Sequence, residues 1–228
     1  MKNLKKLEER IGVKFKNLNL LRQALVHKSY LNEHPEEKIS DNERLEFLGD
    51  AIIEYIVTDY LYRNYQEPEG TLTAWRASLV NTKILSQIAK KFNLDKYLYL
   101  SKGLSLEKSK TKVLAGAFEA LIGAIYLDQG LNKAKFFIEK EIIPQLSKIL
   151  KYKLYKDAKS KFQEFAQEKF KITPSYKVLK EEGPDHAKKF TVGLYLGQSL
   201  ISKGKGRNKQ EAEMEAAKKA LKKFNYVS

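Results

Sequence analysis

Along residues 1–150 the apolar positions recur at helical spacing. In KNLNLLRQALVHKSYL they fall at Leu18, Leu21, Leu25 and Val26, the period that lines one face of a helix. A polar loop with Pro35 and a run of glutamates follows. Asp41 is placed to cap a long helix from about Asn42 to Tyr62. EPEG at 67–70 breaks the pattern. Trp75, Leu79, Ile84, Leu85 and Ile88 then predict a helix over 73–92. Residues 113–130 read as a buried helix ending near Gly130, and Asn132 to Ile149 as another. No period-two alternation is visible here, so this body reads as all-α.

The pattern changes beyond a short charged connector, SKILKYKLYK at 147–156. Asp157–Phe170 is helical. Tyr176–Glu182, Lys189–Leu196 and Ser199–Lys203 are short runs rich in Val, Leu, Ile, Tyr and Phe, which read as strands joined by GPDHAK and LGQS. Asn208 caps a last helix whose alanines suit close packing on a sheet. The expected organisation is an all-α domain over 1–150 and an α+β (αβββα) domain over 155–225.

Composition narrows the function classes. The chain has 43% hydrophobic residues and no cysteine, which excludes disulfides and thiolate metal sites. No apolar run is long enough for a signal peptide or a membrane span, so a soluble cytoplasmic protein with no membrane partner is expected. The net charge of +15 is uneven: residues 151–228 hold 19 Lys and Arg against 9 Asp and Glu, whereas residues 1–150 hold 24 against 19. A basic module beside a nearly balanced body suggests a polyanion, most simply nucleic acid.

The candidate chemistry lies in NERLEFLGDA at 42–51. Glu43, Glu46 and Asp50 are spaced i, i+3, i+7 and share a helix face. Leu45, Phe47, Leu48 and Ile52 make much of that helix apolar, and acids on a buried helix need partners. Divalent metal, Arg or Lys pairing, and an ordinary solvated acidic face are the available solutions. Glu119 sits alone in the apolar run AGAFEALIGA. If its helix packs on 42–62, Glu46, Asp50 and Glu119 converge on one hard cation such as Mg²⁺.

NERLEFLGDA resembles the signature of the bacterial ribonuclease III family of double-strand-specific endoribonucleases. ALVHKSY (24–30), EGTLTAWRASLV (69–80) and LAGAFEALIGAIYLDQG (114–130) resemble its further blocks. GPDHAKKF (183–190) and GKGRNKQEAEMEAAKKAL (204–221) resemble a double-stranded-RNA-binding domain. The resemblance implies an all-α endonuclease and dimerisation domain followed by that RNA-binding domain. It implies a homodimer that cuts ribosomal, messenger and transfer RNA precursors, leaving 5′ phosphates and short 3′ overhangs. It places Mg²⁺, with Mn²⁺ as a substitute, at Glu46, Asp50 and Glu119, with Asp50 and Glu119 catalytic. Glu43 and Glu69 would sit at the rim, and Phe47 is either a dimer contact or core. Gly116 departs from the pattern, where the family usually has an aspartate. An active enzyme with water completing the metal shell, a weakly active one, and a non-catalytic RNA-binding dimer all fit that departure.

A-form RNA offers a wide minor groove of 2′-hydroxyls, and such a domain spans about 16 base pairs. Gln163 and Glu164 would meet one minor groove, and Pro184, Asp185 and His186 the next. Arg207, Asn208 and Lys209 would meet the phosphates between, where a helix N-terminus also favours anions, with Lys188 and Lys205 adding charge. Gln210 stands where a second lysine is common, and Ala158 where an aromatic is. His27 is expected to be structural and His34 a loop residue.

Overall fold

A computed structural model describes residues 2–102, 106–184 and 188–225, without the side chains of 106–109. The chain divides into two compact units, Met1–Lys151 and Tyr152–Ser228.

The first unit is helical: α1 (Leu4–Ile11), α2 (Leu18–Ala24), α3 (Lys28–Glu33), α4 (Glu43–Asn64), α5 (Glu69–Leu79), α6 (Thr82–Lys91), a 3₁₀ turn (Leu94–Lys96), α7 (Leu106–Gln129), α8 (Leu131–Glu141) and α9 (Gln145–Lys151). Its axis is the pair α4 and α7. From α4, Leu45, Ile52, Ile53, Ile56, Val57 and Leu61 are buried; from α7, so are Leu114, Phe118, Leu121, Ile122 and Ile125. The two backbones touch at glycines. A Cβ built on Gly49 would lie 1.8 Å from the Glu119 carbonyl oxygen, and one on Gly123 would lie 2.3 Å from that of Leu45. Neither position tolerates any side chain without separating the helices.

Sequence and structure differ where one cap or one proline decides. The helix expected over 73–92 is two helices, because the Asn81 side chain accepts the Ile84 N–H at 3.0 Å and starts α6 afresh. The helix expected over 132–149 is also two. Pro144 lies between Glu141 and Gln145 and cannot continue a helix. EPEG does not separate helices cleanly, since α5 already begins at Glu69 after Pro68. α7 starts at Leu106 rather than near 113. The helical body also holds one extended contact, a parallel bridge between Val26 and Tyr99.

The second unit runs α10 (Ala158–Phe170), β1 (Ser175–Glu182), β2 (Lys189–Leu196), β3 (Ser199–Gly206), α11 (Lys209–Lys223). Its antiparallel sheet has the order β1-β2-β3. Phe162 and Ala166 of α10, Leu194 and Leu196 of β2, and Ala216, Ala217, Ala220 and Leu221 of α11 form one core. β3 outruns its expected end at Lys203 and runs on through GKG to Gly206. A Cβ on Gly204 would lie 2.0 Å from the Ala212 carbonyl oxygen, so the glycine lets α11 rest directly on the sheet. Among the described residues, no helix is long and apolar enough to cross a membrane.

Replacing Gly49 by Ala forces α4 and α7 apart, and overpacking of this kind costs typically about 1–3 kcal/mol. Gly70 sits in α5 with nothing within 4 Å of a built Cβ, so Gly70→Ala is neutral or gains up to about 1 kcal/mol. Urea unfolding of the two variants checks the contrast; equal midpoints would refute the crossing argument.

Candidate active site and nucleic-acid interface

The crossing of α4 over α7 sets up a cleft of about 620 Å³. It is lined by His27, Lys28, Asn42, Glu43, Glu46, Phe47, Asp50, Lys112, Val113 and Glu119. Asn42, 3% exposed, fixes its entrance. Its N–H donates to the Val26 carbonyl at 2.8 Å and its Nδ2 to the Ala24 carbonyl at 3.4 Å. These bonds tie the start of α4 to the segment leading into α3. The N-cap of α4 is Asn42, which makes no side-chain capping bond; the expected cap, Asp41, stands one residue earlier, and its Oδ1 accepts the Glu43 N–H at 3.0 Å. His27 caps α3, its Nδ1 accepting the Ser29 N–H at 3.2 Å. That acceptor role needs the neutral ring, and burial, followed by the charge of Lys28, lowers its pKa. Here His27 is structural, and it also walls the cleft.

The structure brings Glu43, Glu46, Asp50, Glu119 and Phe47 to this one cleft. Glu69 lines a different hollow, of about 450 Å³, with Thr58, Tyr62, Glu67 and Arg76. Its carboxylate accepts from the Thr73 hydroxyl at 3.3 Å. The acids are less buried than the apolar setting of their helices suggests. Glu43 and Asp50 are exposed, and Glu46 and Glu119 are half-buried. Phe47 is 81% exposed, so it is not core.

The cleft is short of positive charge at its acids. Burial, then the carboxylates of Glu46 and Asp50, push Glu119 up to about 7. Burial and the Glu43 charge raise Glu46, against Lys112 and Lys28, which pull it down. Glu43 escapes this: Lys28 Nζ lies 2.6 Å from its Oε1 and holds it below the usual carboxylate range. Lys28 and Lys112 are cleft residues that sequence reading missed. Lys112 stands i−7 from Glu119 on one helix, a spacing that would have revealed it.

A cube of protein ligands is not preformed. Among the described residues, no three His, Cys, Asp or Glu side chains are gathered closely enough to cage a metal ion. The donor chemistry nonetheless fits a hard divalent cation. Oxygen-only carboxylates on an open cleft are what Mg²⁺ takes when it keeps several waters, and a cation there relieves the repulsion that raises Glu46 and Glu119.

Gly116 adjoins the same acids. A Cβ there would lie 2.5 Å from Oε2 of Glu46, so the Glu46 carboxylate fills the space a residue-116 side chain would use.

In the second unit, Gln163 and Glu164 are exposed on α10, with Glu164 paired to Lys156. Pro184, Lys188, Lys205, Arg207 and Lys209 are exposed. Asp185 and His186 lie outside the described residues. The Asn208 side chain is committed to its helix, accepting the Glu211 N–H at 2.8 Å. Glu211 in turn accepts the Arg207 N–H at 2.9 Å. Lys209 lies 3.6 Å from Glu181.

Comparison with known proteins agrees across both units. Residues 17–146 match the family model described as Ribonuclease-III-like, and residues 158–224 match the double-stranded RNA binding motif. The chain is 44% identical to Ribonuclease 3 of Borreliella burgdorferi, over 99% of this chain and 93% of that one. It is also 44% identical to Ribonuclease 3 of Enterococcus faecalis, over 95% of each. A solved nuclease domain of ribonuclease III from Campylobacter jejuni, described for flexibility in a region involved in dimer formation, aligns with TM-score 0.54. It shares 39% identity and covers 62% of this chain and 99% of that one.

Because the folded pKa of Glu119 is raised above that of an unfolded glutamate, its ionisation opposes folding. Without metal, its contribution to stability falls as pH rises from about 4.5 to about 7, and the penalty is complete above that. Glu119→Gln should therefore be more stable than the parent at pH 8 by about 1 kcal/mol or more, a rise in Tm of about 2–4 °C. The two should converge below about pH 4.5. Parallel Tm profiles in EDTA would disprove the assignment.

Proposed function

Because the chain belongs to the ribonuclease III family and carries a double-stranded-RNA-binding motif, we propose that this endoribonuclease cuts duplex RNA in a Mg²⁺-dependent reaction at the cleft between α4 and α7. The observation that carries this reading is the convergence of Glu46 and Asp50 with Glu119 on one open cleft. Those three carboxylates would hold Mg²⁺, or Mn²⁺ in its place. A divalent ion held there would supply Lewis acidity and would activate a water for attack on a phosphodiester. Asp50, the most exposed of the three, faces incoming substrate. Glu46 and Glu119 orient the acidic wall, and Glu43, neutralised by Lys28, forms the rim. Expected products carry 5′ phosphates and short 3′ overhangs. Expected substrates are the double-stranded parts of ribosomal, messenger and transfer RNA precursors in the cytoplasm.

The second unit would hold the duplex through exposed Gln163 and Glu164, the segment from Pro184 through Asp185 and His186 to Lys188, and Lys205, Arg207 and Lys209. Asn208 would contribute mainly by holding the start of α11 in shape.

A homodimer is supported by an exposed aromatic stripe on α4. Phe47, Tyr55 and Tyr62 are 81%, 58% and 75% exposed and follow one helix face. A patch of this kind on a rigid helix marks a protein contact, and Glu69 would lie near it at the rim.

The weak-activity reading has one observation in its favour. Gly116 supplies no ligand, and Glu46 leans into the gap. Mg²⁺ commonly makes up such a shell with water, so cleavage at higher Mg²⁺ concentration is the expected outcome.

The test uses end-labelled duplex RNA with a Mg²⁺ titration. Asp50→Asn and Glu119→Gln should each slow cleavage by about 10³-fold or more, the several kcal/mol a misplaced Lewis acid costs, while duplex binding persists. Gly116→Asp should cut at a lower Mg²⁺ midpoint, since added ligand charge tightens a hard-cation site. Duplex binding without products from the parent chain, and products only from Gly116→Asp, would establish the non-catalytic reading instead. Phe47→Ala should shift sedimentation toward monomer, and an unshifted profile would remove Phe47 from the contact.

A further inference from the structure

A phosphodiester entering this cleft meets four carboxylates, and its approach needs a cation that the protein has not already spent. Among the described residues, three cleft side chains can carry positive charge: His27, Lys28 and Lys112. His27 uses its Nδ1 as an acceptor to cap α3 and is biased toward the neutral ring. The Lys28 ammonium is held by Glu43 at 2.6 Å. Lys112 is exposed and, among the described residues, is engaged by no hydrogen bond or salt bridge. It stands on α7 one turn before Gly116 and two turns before Glu119, on the face that turns toward the cleft. Its charge reaches Glu46.

We propose that Lys112 is a substrate-contacting residue whose ammonium binds a non-bridging oxygen of the RNA phosphate entering the cleft. Lysine suits the task, being a compact point charge on a flexible four-carbon stem with three donors. It can follow a phosphate without demanding the fork geometry of arginine. Its place beside Gly116 sharpens the point. Where no side chain at 116 adds negative charge, Lys112 makes the wall still less negative and eases entry of an anion. The inference rests on the proposed cleavage at this cleft.

The experiment uses the full chain and its Lys112→Gln and Lys112→Arg variants, with thermal unfolding as a check that each folds. Duplex RNA binding is measured against salt concentration in EDTA, so that nothing is cut. Each phosphate contact contributes about 0.9 to the slope of log K against log salt for a B-form duplex. Lys112→Gln should lower the slope by about 1, and Lys112→Arg should retain it. Single-turnover cleavage in Mg²⁺ should slow about 10-fold or more in Lys112→Gln, by analogy with the loss of one preorganised donor, and recover in Lys112→Arg. An unchanged salt slope overturns the proposal whatever the rates do, because a lysine that only shaped the acidic cluster would leave it unmoved. If the parent gives no products while Lys112→Gln still lowers the slope, the cleavage reading fails and the phosphate contact stands.

Discussion

Two helices can approach backbone to backbone only where neither carries a side chain at the contact. The first unit depends on that constraint. Gly49 and Gly123 remove the last atoms between α4 and α7, and the apolar residues flanking them are buried as a consequence. Only at this separation do the acids at the start of α4 and Glu119 of α7 address the same space. The sequence motif that carries the carboxylates carries the glycine as well, so the chemistry and the packing that gathers it are written into the same ten residues. A helix-interior glycine costs roughly 0.5–1 kcal/mol of propensity, which the buried apolar flanks offset many times over.

The electrostatics follow from the crossing. Acids brought together on a partly dry surface raise one another's affinity for protons, and Glu119, the most enclosed, responds most. The protein relieves part of this with its own cations. Lys28 neutralises Glu43 at the rim, and Lys112 tempers Glu46 from the opposite helix. What is left over is a graded site: a neutralised outer acid, an exposed inner one, and two half-buried acids behind. Along such a gradient the cost of ionising each acid rises with depth.

Much of this was legible in the chain. The helical body, the αβββα module and the shared face of Glu43, Glu46 and Asp50 follow from residue type and spacing, because i, i+3 and i+7 on a helix is geometry rather than statistics; that Glu119 lines the same cleft depended on its helix packing against α4, which spacing alone does not give. The misreadings have local causes. Asn81 restarts a helix through one side-chain hydrogen bond, and Pro144 breaks another, although the apolar period runs on through both. The strand was expected to end before the glycines of β3, because the reason for them lies beyond the strand, in Ala212 and Ala216 of α11. Exposure was the least legible quantity. Phe47 reads as core or contact with equal ease, since a hydrophobic residue states a preference for burial and not the partner that provides it. Asn42 gave no signal at all: its hydrogen bonds reach back to residues 24 and 26, which no local pattern reveals.

The side chain of Glu46 leaning over Gly116 has a consequence for substitution at both positions. Where a neighbour's carboxylate occupies the space beside a glycine, adding a side chain there is not a local change. Any residue larger than glycine at 116 first has to displace a charged carboxylate, and it is tolerated or refused according to what Glu46 can do elsewhere. The two positions are therefore epistatic. The cost of a side chain at 116 depends on which side chain stands at 46, so substitutions at the two positions do not add, even where both keep the same helices and the same crossing.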